Sequence, residues 1–272
     1  MTAEEAGVDP SLEIDALVCD LDGVIFRGAQ PIPGAADAVE RLRKQGVRFL
    51  FATNNATRTV EQYREKLSSI GVAASDGELI TSAIVTVEEI VRRGWSDRSV
   101  FLIGGAGIRA ALLDAGFDLL DGMPARDAEV VIVSGDPDFS YDSLRTAAFA
   151  VRKGAAFLAT NDDTTFPASD GLWPGAGALI AGVEVASGRP AEVMGKPHPP
   201  MMEAIARRLE GAGRIAVVGD QPQTDLAGAQ LMGWTTILVL SGVTTAEEAT
   251  ALVPKPDLVL DSLADLRVGS TG

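Results

Sequence analysis

Four short stretches of the 272-residue sequence put polar, chemically capable side chains directly after apolar runs. Asp20 and Asp22 close "ALVCDLD", Thr53 and Asn54 close "FLFATN", Lys196 stands in "MGKP", and Asp220 closes "IAVVGD" with Asp225 shortly after it. Residues two apart on an extended chain share a face, so Asp20 and Asp22 are expected to point the same way. Asp225 is expected in the first turn of the following helix, near Asp220 and at an end that favours negative charge. Four converging carboxylates repel: at about 4 Å and an effective dielectric near 20, each pair costs about 4 kcal/mol. Such a cluster persists at neutral pH by taking up protons or a cation. Oxygen donors with no cysteine or clustered histidine among them point to Mg²⁺.

A divalent ion that leaves one carboxylate able to attack, beside a lysine and strand-end amides, suits phosphoryl transfer. Thr53 and Asn54 can offer hydroxyl, amide and backbone N–H donors to phosphate oxygens, and Lys196 a point charge. Asp22 can give a proton to a leaving oxygen and later take one from water.

The elements that must position these groups read as α/β. "IDALVCD" is a buried strand, "ADAVERLRKQ" a helix with Val39 and Leu42 on one face and Gly46 as its stop, and "VRFLFAT" a second strand. "TVEQYREKLSSIG" opens on a Thr59–Gln62 capping box. The strands lack polar alternation, as parallel strands covered on both faces do. "SVFLIGG", "AEVVIVSG" and "AAFLATNDD" continue the rhythm, and "RIAVVGD", "TTILVLSG" and "DLVLDS" close it. In open parallel sheets ligands bind beyond the carboxyl ends of strands, which is where the polar groups stand. Residues 1–95 and 191–272 read as a parallel-sheet core, with 96–190 as an inserted α/β module. "KQGVRFLFATNNAT" and "RKGAAFLATNDDT" echo each other across the two modules.

Charge and composition exclude other classes. With 23 Lys and Arg against 38 Asp and Glu, the formal net charge is −15, which repels nucleic acid and anionic lipid. Cys19 is the single cysteine, so no intrachain disulfide or multi-cysteine metal site forms; it reads as core packing. The N-terminus has no secretion-signal pattern and no apolar run reaches the length of a membrane span, so a soluble cytoplasmic protein is expected. "FLIGGAGIRA" matches a dinucleotide fingerprint at Gly105, Gly107 and Ala110, but no acid follows at the expected strand end, and glycines packing a helix on a sheet suffice. Phe166 and Trp173 read as packing residues.

Asp20-Leu21-Asp22-Gly23-Val24, Thr53, Gly195-Lys196-Pro197 and Gly219-Asp220…Asp225 resemble the four motifs of haloacid dehalogenase (HAD) superfamily phosphatases. "ATNDDTTFPASDGLWPGAGAL" resembles the signature of the class IIA-capped branch. The resemblance implies a Rossmann-like core with an inserted cap, and an Mg²⁺-dependent phosphomonoesterase acting on small phosphorylated metabolites. It makes Asp20 the nucleophile that becomes an aspartyl-phosphate and Asp22 the general acid/base, its backbone carbonyl touching Mg²⁺. It makes Asp220 a direct metal ligand and Asp225 a direct or water-mediated one. Thr53 and Asn54 bind the phosphoryl group, Lys196 neutralises it, and the cap turn around Asn161 and Asp163 helps choose the leaving group. A homodimer is compatible with the resemblance. Two departures stand out: Gln221-Pro222-Gln223 follows Asp220 where many relatives have an arginine, and His198, the only histidine, replaces a small polar residue. A phosphotransferase or a phospho-acceptor signalling protein would use the same kinds of groups.

Overall fold

The computed structural model describes residues 11–75, 77–168 and 171–269. Along the chain run β1 (Ser11–Leu12), β2 (Ala16–Cys19), β3 (Phe26–Arg27), β4 (Gln30–Pro31), α1 (Ala35–Lys44), β5 (Arg48–Thr53), α2 (Val60–Ser69), β6 (Leu79–Thr81) and α3 (Ser82–Arg92). There follow β7 (Val100–Ile103), α4 (Ala106–Asp114), β8 (Val130–Val133), α5 (Tyr141–Lys153), β9 (Ala156–Ala159), β10 (Thr165–Ala168), β11 (Gly171–Pro174), α6 (Ala176–Ser187) and β12 (Glu192–Val193). The chain closes with α7 (Pro199–Arg208), β13 (Ile215–Gly219), α8 (Ala227–Leu231), β14 (Thr235–Val239), α9 (Ala246–Ala251), β15 (Leu258–Leu260) and β16 (Arg267–Val268).

Two sheets carry the architecture. The larger has the order β15-β14-β13-β2-β5-β6, and the smaller β12-β9-β8-β7. In the larger, β2 pairs in parallel with β13 and β5, and β14 with β13 and β15. Crossovers through helices cover both faces of such a sheet, so its central strands hold continuous apolar runs. All four residues of β2 are buried. Helix α1 turns Ala35, Ala38, Val39 and Leu42 inward, an i, i+3, i+4, i+7 stripe. Ahead of α2, the Gln62 N–H donates to Thr59 Oγ1 (3.2 Å) and the Thr59 N–H to Gln62 Oε1 (3.0 Å), which is the expected capping box.

By packing, the chain divides into two compact units. Among the described residues, the first comprises 11–52, 68–75, 77–78 and 205–269, the second 53–67, 79–168 and 171–204. The four-stranded sheet of the second unit is parallel throughout. Alternate residues of its strands (Phe101 and Ile103, Val131 and Val133, Phe157 and Ala159) form a core with Ala147, Ala150 and Val151 of α5 and Ile180 and Val183 of α6. Segments 53–67, 79–95 and 191–204 group with this unit for local reasons. The loop at 56–58 caps α4, and Asn54 is hydrogen-bonded to Lys196 and Asn161. Among the described residues, no helix is long and apolar enough to cross a membrane.

Candidate active site

Three of the expected acids meet in the first unit. Asp20 follows β2, and its N–H donates to the Val218 carbonyl of neighbouring β13 (3.0 Å). Cys19 lies beside Val218 in the parallel register, so β2 and β13 end together, delivering Asp20 and Asp220 to the same edge. Asp225 lies in a wide helical turn, Pro222–Leu226, that returns the chain toward β13; its Oδ2 accepts the Gln221 N–H (3.0 Å). Asp20, Asp220 and Asp225 are all buried, and each offers an oxygen within 4.8 Å of the others.

This close approach depends on glycine. A Cβ at Gly219 would overlap Asp225, and one at Gly23 or Gly242 would overlap the Asp220 carboxylate. Gly23 also has φ +85°, a left-handed conformation that a side chain would strain. Asp220 is held further by the loop after β14: its Oδ2 accepts the Val243 N–H (2.7 Å) and its carbonyl accepts the Thr244 hydroxyl (2.5 Å).

The carboxylate grouping differs from the four-acid cluster expected: Asp22 is not in it. The strand rule that puts residues two apart on one face ends with β2 at Cys19. Beyond it the Leu21 carbonyl accepts the Ile25 N–H (2.9 Å) and the Phe26 carbonyl accepts the Gly23 N–H (2.7 Å), so the chain is already turning at Asp22. Three buried carboxylates with only oxygen to offer fit a small hard divalent cation such as Mg²⁺.

The second unit gathers the other expected residues around Asn54. The Asn54 side chain reads both backbone groups of Lys196: its Oδ1 accepts the Lys196 N–H (2.7 Å) and its Nδ2 donates to the Lys196 carbonyl (3.0 Å). The same Nδ2 lies 3.3 Å from Asp163 Oδ1. Asn161 Nδ2 donates to the Asn54 carbonyl (2.9 Å), as does Ser82 Oγ at the start of α3 (2.5 Å). Asn161 in turn accepts the Asp163 N–H through Oδ1 (3.2 Å). Gly195 permits the approach, since a Cβ there would crowd Asn54 Oδ1 and the Thr160 carbonyl at 2.6 Å each. Lys196 is buried, as is Thr53, whose Oγ1 accepts the Asn55 N–H (3.1 Å). The echo between "FATNNAT" and "LATNDDT" therefore brings two strand exits into direct hydrogen-bonding contact at Asn54 and Asn161.

The Asn54 amide, expected as a phosphate donor, is thus engaged in positioning Lys196 and Asp163. His198 Nε2 lies 2.9 Å from Asp162 Oδ2, a further tie between the 161–163 turn and the lysine loop. Phe166 and Trp173 pair edge to face across the β10–β11 hairpin, and each is 45% exposed, so they pack on each other rather than in a core. The glycine motif at 104–107 is a packing device. The Gly107 and Ile108 N–H groups donate to the carbonyls of Thr57 and Ala56 (3.0 and 2.9 Å), so the α4 N-terminus is already occupied, and a Cβ at Gly107 would overlap the 56–58 backbone.

Ser82 and the 241–244 loop are contributors that sequence reasoning did not single out. The loop carried a usable signal: "LVLSGVT" is one more strand exit with a glycine, like those that carry the acids.

The chain matches the haloacid dehalogenase-like hydrolase family over residues 17–118 and the HAD-hydrolase-like family over 193–266. It is 36% identical to an acid sugar phosphatase of Staphylococcus haemolyticus over 84% of this chain and 86% of that protein. It is 34% identical to the 5'-nucleotidase YutF of Bacillus subtilis, over 90% of this chain and 94% of the relative. The crystal structure of a glycerol phosphate phosphatase from Mycobacterium tuberculosis in complex with magnesium superposes with TM-score 0.87 at 30% identity, covering 97% of this chain and 79% of that one. Motifs, parallel sheet, acid cluster and similarity along most of its length agree: the chain belongs to the haloacid dehalogenase-like hydrolases, in their class IIA-capped phosphatase branch.

Proposed function

We propose that the protein is an Mg²⁺-dependent phosphatase that hydrolyses small phosphomonoesters through an aspartyl-phosphate on Asp20. The observation that carries this reading is the trio of buried carboxylates, Asp20, Asp220 and Asp225, within ligating reach of one another. Their mutual repulsion is offset by a divalent cation, which when bound neutralises charge on the phosphoryl oxygens and lowers the cost of bringing an anion to a carboxylate. Asp220 and Asp225 would hold the ion, together with one Asp20 oxygen and the Asp22 carbonyl.

The other Asp20 oxygen attacks phosphorus, and the bond to the leaving oxygen breaks. Protonated Asp22 gives its proton to that oxygen, and the alcohol departs. The Asp22 carboxylate then takes a proton from water as the water oxygen attacks the phosphorus of the aspartyl-phosphate. Inorganic phosphate leaves, and Asp20 and protonated Asp22 are regenerated. Thr53, the Asn54 main chain and the Lys196 ammonium bind the non-bridging oxygens. The hydrogen bonds of Asn54 to Lys196 support its part in holding that lysine in register. Residues 96–190 act as the substrate-selecting cap on a core of 1–95 and 191–272, with Asn161 and Asp163 among the residues that meet the leaving group. Relatives named for sugar phosphates, nucleotides and glycerol phosphate support a small phosphorylated metabolite as substrate.

The test is hydrolysis of p-nitrophenyl phosphate by the purified protein with and without Mg²⁺, and by Asp20→Asn. Turnover that needs Mg²⁺ and is lost in the variant is expected; normal turnover by the variant refutes the reading. A stable phospho-form without turnover would mark a signalling acceptor instead, and transfer of phosphate to a second sugar would mark a phosphotransferase.

A further inference from the structure

Asp220 sits in a slot whose walls are backbone. Gly23 forms one side and Gly242 the other, and neither position tolerates a side chain. Gly242 belongs to the 241–244 loop, whose Val243 N–H fixes the carboxylate rotamer and whose Thr244 hydroxyl fixes the Asp220 main chain. The orientation of the Asp220 carboxylate therefore depends on the position of this loop.

Two side chains link the loop to the segment that follows Asp22, one from each side. Ser241 Oγ donates to the Gly23 carbonyl (2.6 Å). Arg27, in β3 of the small β3–β4 hairpin, extends its guanidinium to the loop, where Nη2 donates to the carbonyls of Ser241 and Gly242, the latter at 3.0 Å. Two carbonyls converging on one point repel each other unless a donor stands between them. A planar, permanently charged guanidinium satisfies both, whereas a flexible ammonium holds such a geometry less well.

We propose that Arg27 is a positioning residue for the metal site: it clamps the 241–244 loop against the turn at Gly23 so that Asp220 presents its carboxylate in ligating orientation. The proposal rests on the reading of Asp220 as a metal ligand. Arg27 itself is exposed, and its influence runs through the loop carbonyls it binds. Without the guanidinium, the two carbonyls turn to water, the Val243 N–H is no longer held on Oδ2, and the carboxylate gains rotamers that cation binding must then freeze out.

The experiment is calorimetric titration of Mg²⁺ into the wild type, Arg27→Gln, Arg27→Lys, Ser241→Ala and Asp220→Asn, with thermal melting in chelator for each. Arg27→Gln is expected to weaken Mg²⁺ binding about 10-fold, the value of a hydrogen bond from a charged donor. Its melting temperature in chelator should stay near that of the wild type, and its KM at saturating Mg²⁺ within about twofold. Arg27→Lys should recover part of the affinity, and Ser241→Ala should lose a few-fold, which keeps the test decisive if the glutamine variant folds poorly. Asp220→Asn should abolish binding. Wild-type Mg²⁺ affinity in the Arg27 and Ser241 variants, with Asp220→Asn still defective, overturns the clamp and leaves the phosphatase reading intact. Unchanged binding in Asp220→Asn overturns the metal site on which both rest.

Discussion

Replacing Asp20 by Asn tests the physics of the acid cluster without reference to turnover. Asp20, Asp220 and Asp225 each offer an oxygen within 4.8 Å of the others. At that separation and an effective dielectric of about 20, each pair of charges costs about 3.5 kcal/mol. Asp20 takes part in two of the three pairs, so neutralising it relieves about 7 kcal/mol of gross repulsion in the ion-free protein. Proton uptake by the wild-type cluster and its other contacts consume much of this relief. A net gain of even about 1 kcal/mol raises the melting temperature of a chain this size by about 2–4 °C. Asn preserves the shape of the side chain and leaves the main-chain N–H bond to Val218 untouched.

The assay is thermal melting near neutral pH, first in chelator and then in excess Mg²⁺. In chelator the variant should melt above the wild type. In Mg²⁺ the order should narrow or reverse, because an ion at about 100 times its Kd stabilises the wild type by about 2.7 kcal/mol and a site lacking one carboxylate by less. A variant that melts at or below the wild type in chelator, with the same Mg²⁺ shift in both proteins, refutes the reasoning.

Asn54→Ala removes both bonds that fix the Lys196 main chain, and a misplacement of about 1 Å in such a group costs about 100-fold in kcat/KM. Mg²⁺ affinity by calorimetry should be unchanged; an unaltered kcat/KM refutes the positioning role. Glu89, buried in α3, is held below the ordinary glutamate range first by its hydrogen bond from Arg92, against the cost of burial, and further by Arg93. A carboxyl depressed on folding contributes stability above its unfolded value that is lost as pH falls through the folded one. Glu89→Gln should therefore cost about 1–3 kcal/mol at neutral pH. That deficit should shrink once the pH drops below about 4.3. A deficit in chemical denaturation that is constant with pH contradicts the assignment.

Local patterning was legible wherever a few neighbouring residues decide the outcome. The apolar runs at 16–19 and 215–219 are short and almost wholly buried, as parallel strands covered on both faces are, and Thr59 with Gln62 marks the start of α2 because that reciprocal cap closes within one turn. The hairpin of β10 and β11 was harder to read. Its strands are four residues each and both include proline, so neither shows the alternation that marks a longer strand. The dinucleotide-like glycines at 105 and 107 were ambiguous for a similar reason. The sequence shows that backbone must come close there, and only the fold shows that the visitor is the 56–58 loop and not a phosphate.

The residue types and their order, an acid pair, a threonine–asparagine exit, a glycine–lysine pair and a spaced second acid pair, determined the family and the class of chemistry, because each motif is a strand end and the polar side chains it carries. The tertiary structure decided which of those groups meet. It left the Asp22 carboxylate out of the acid grouping because the chain turns as soon as β2 ends. It turned Asn54 inward to hold Lys196, and it supplied Ser82, Gly242 and Arg27 from distant segments. Hydrogen bonds and excluded volume between residues far apart in sequence leave no period or spacing to read; they exist only once the strands have set their register.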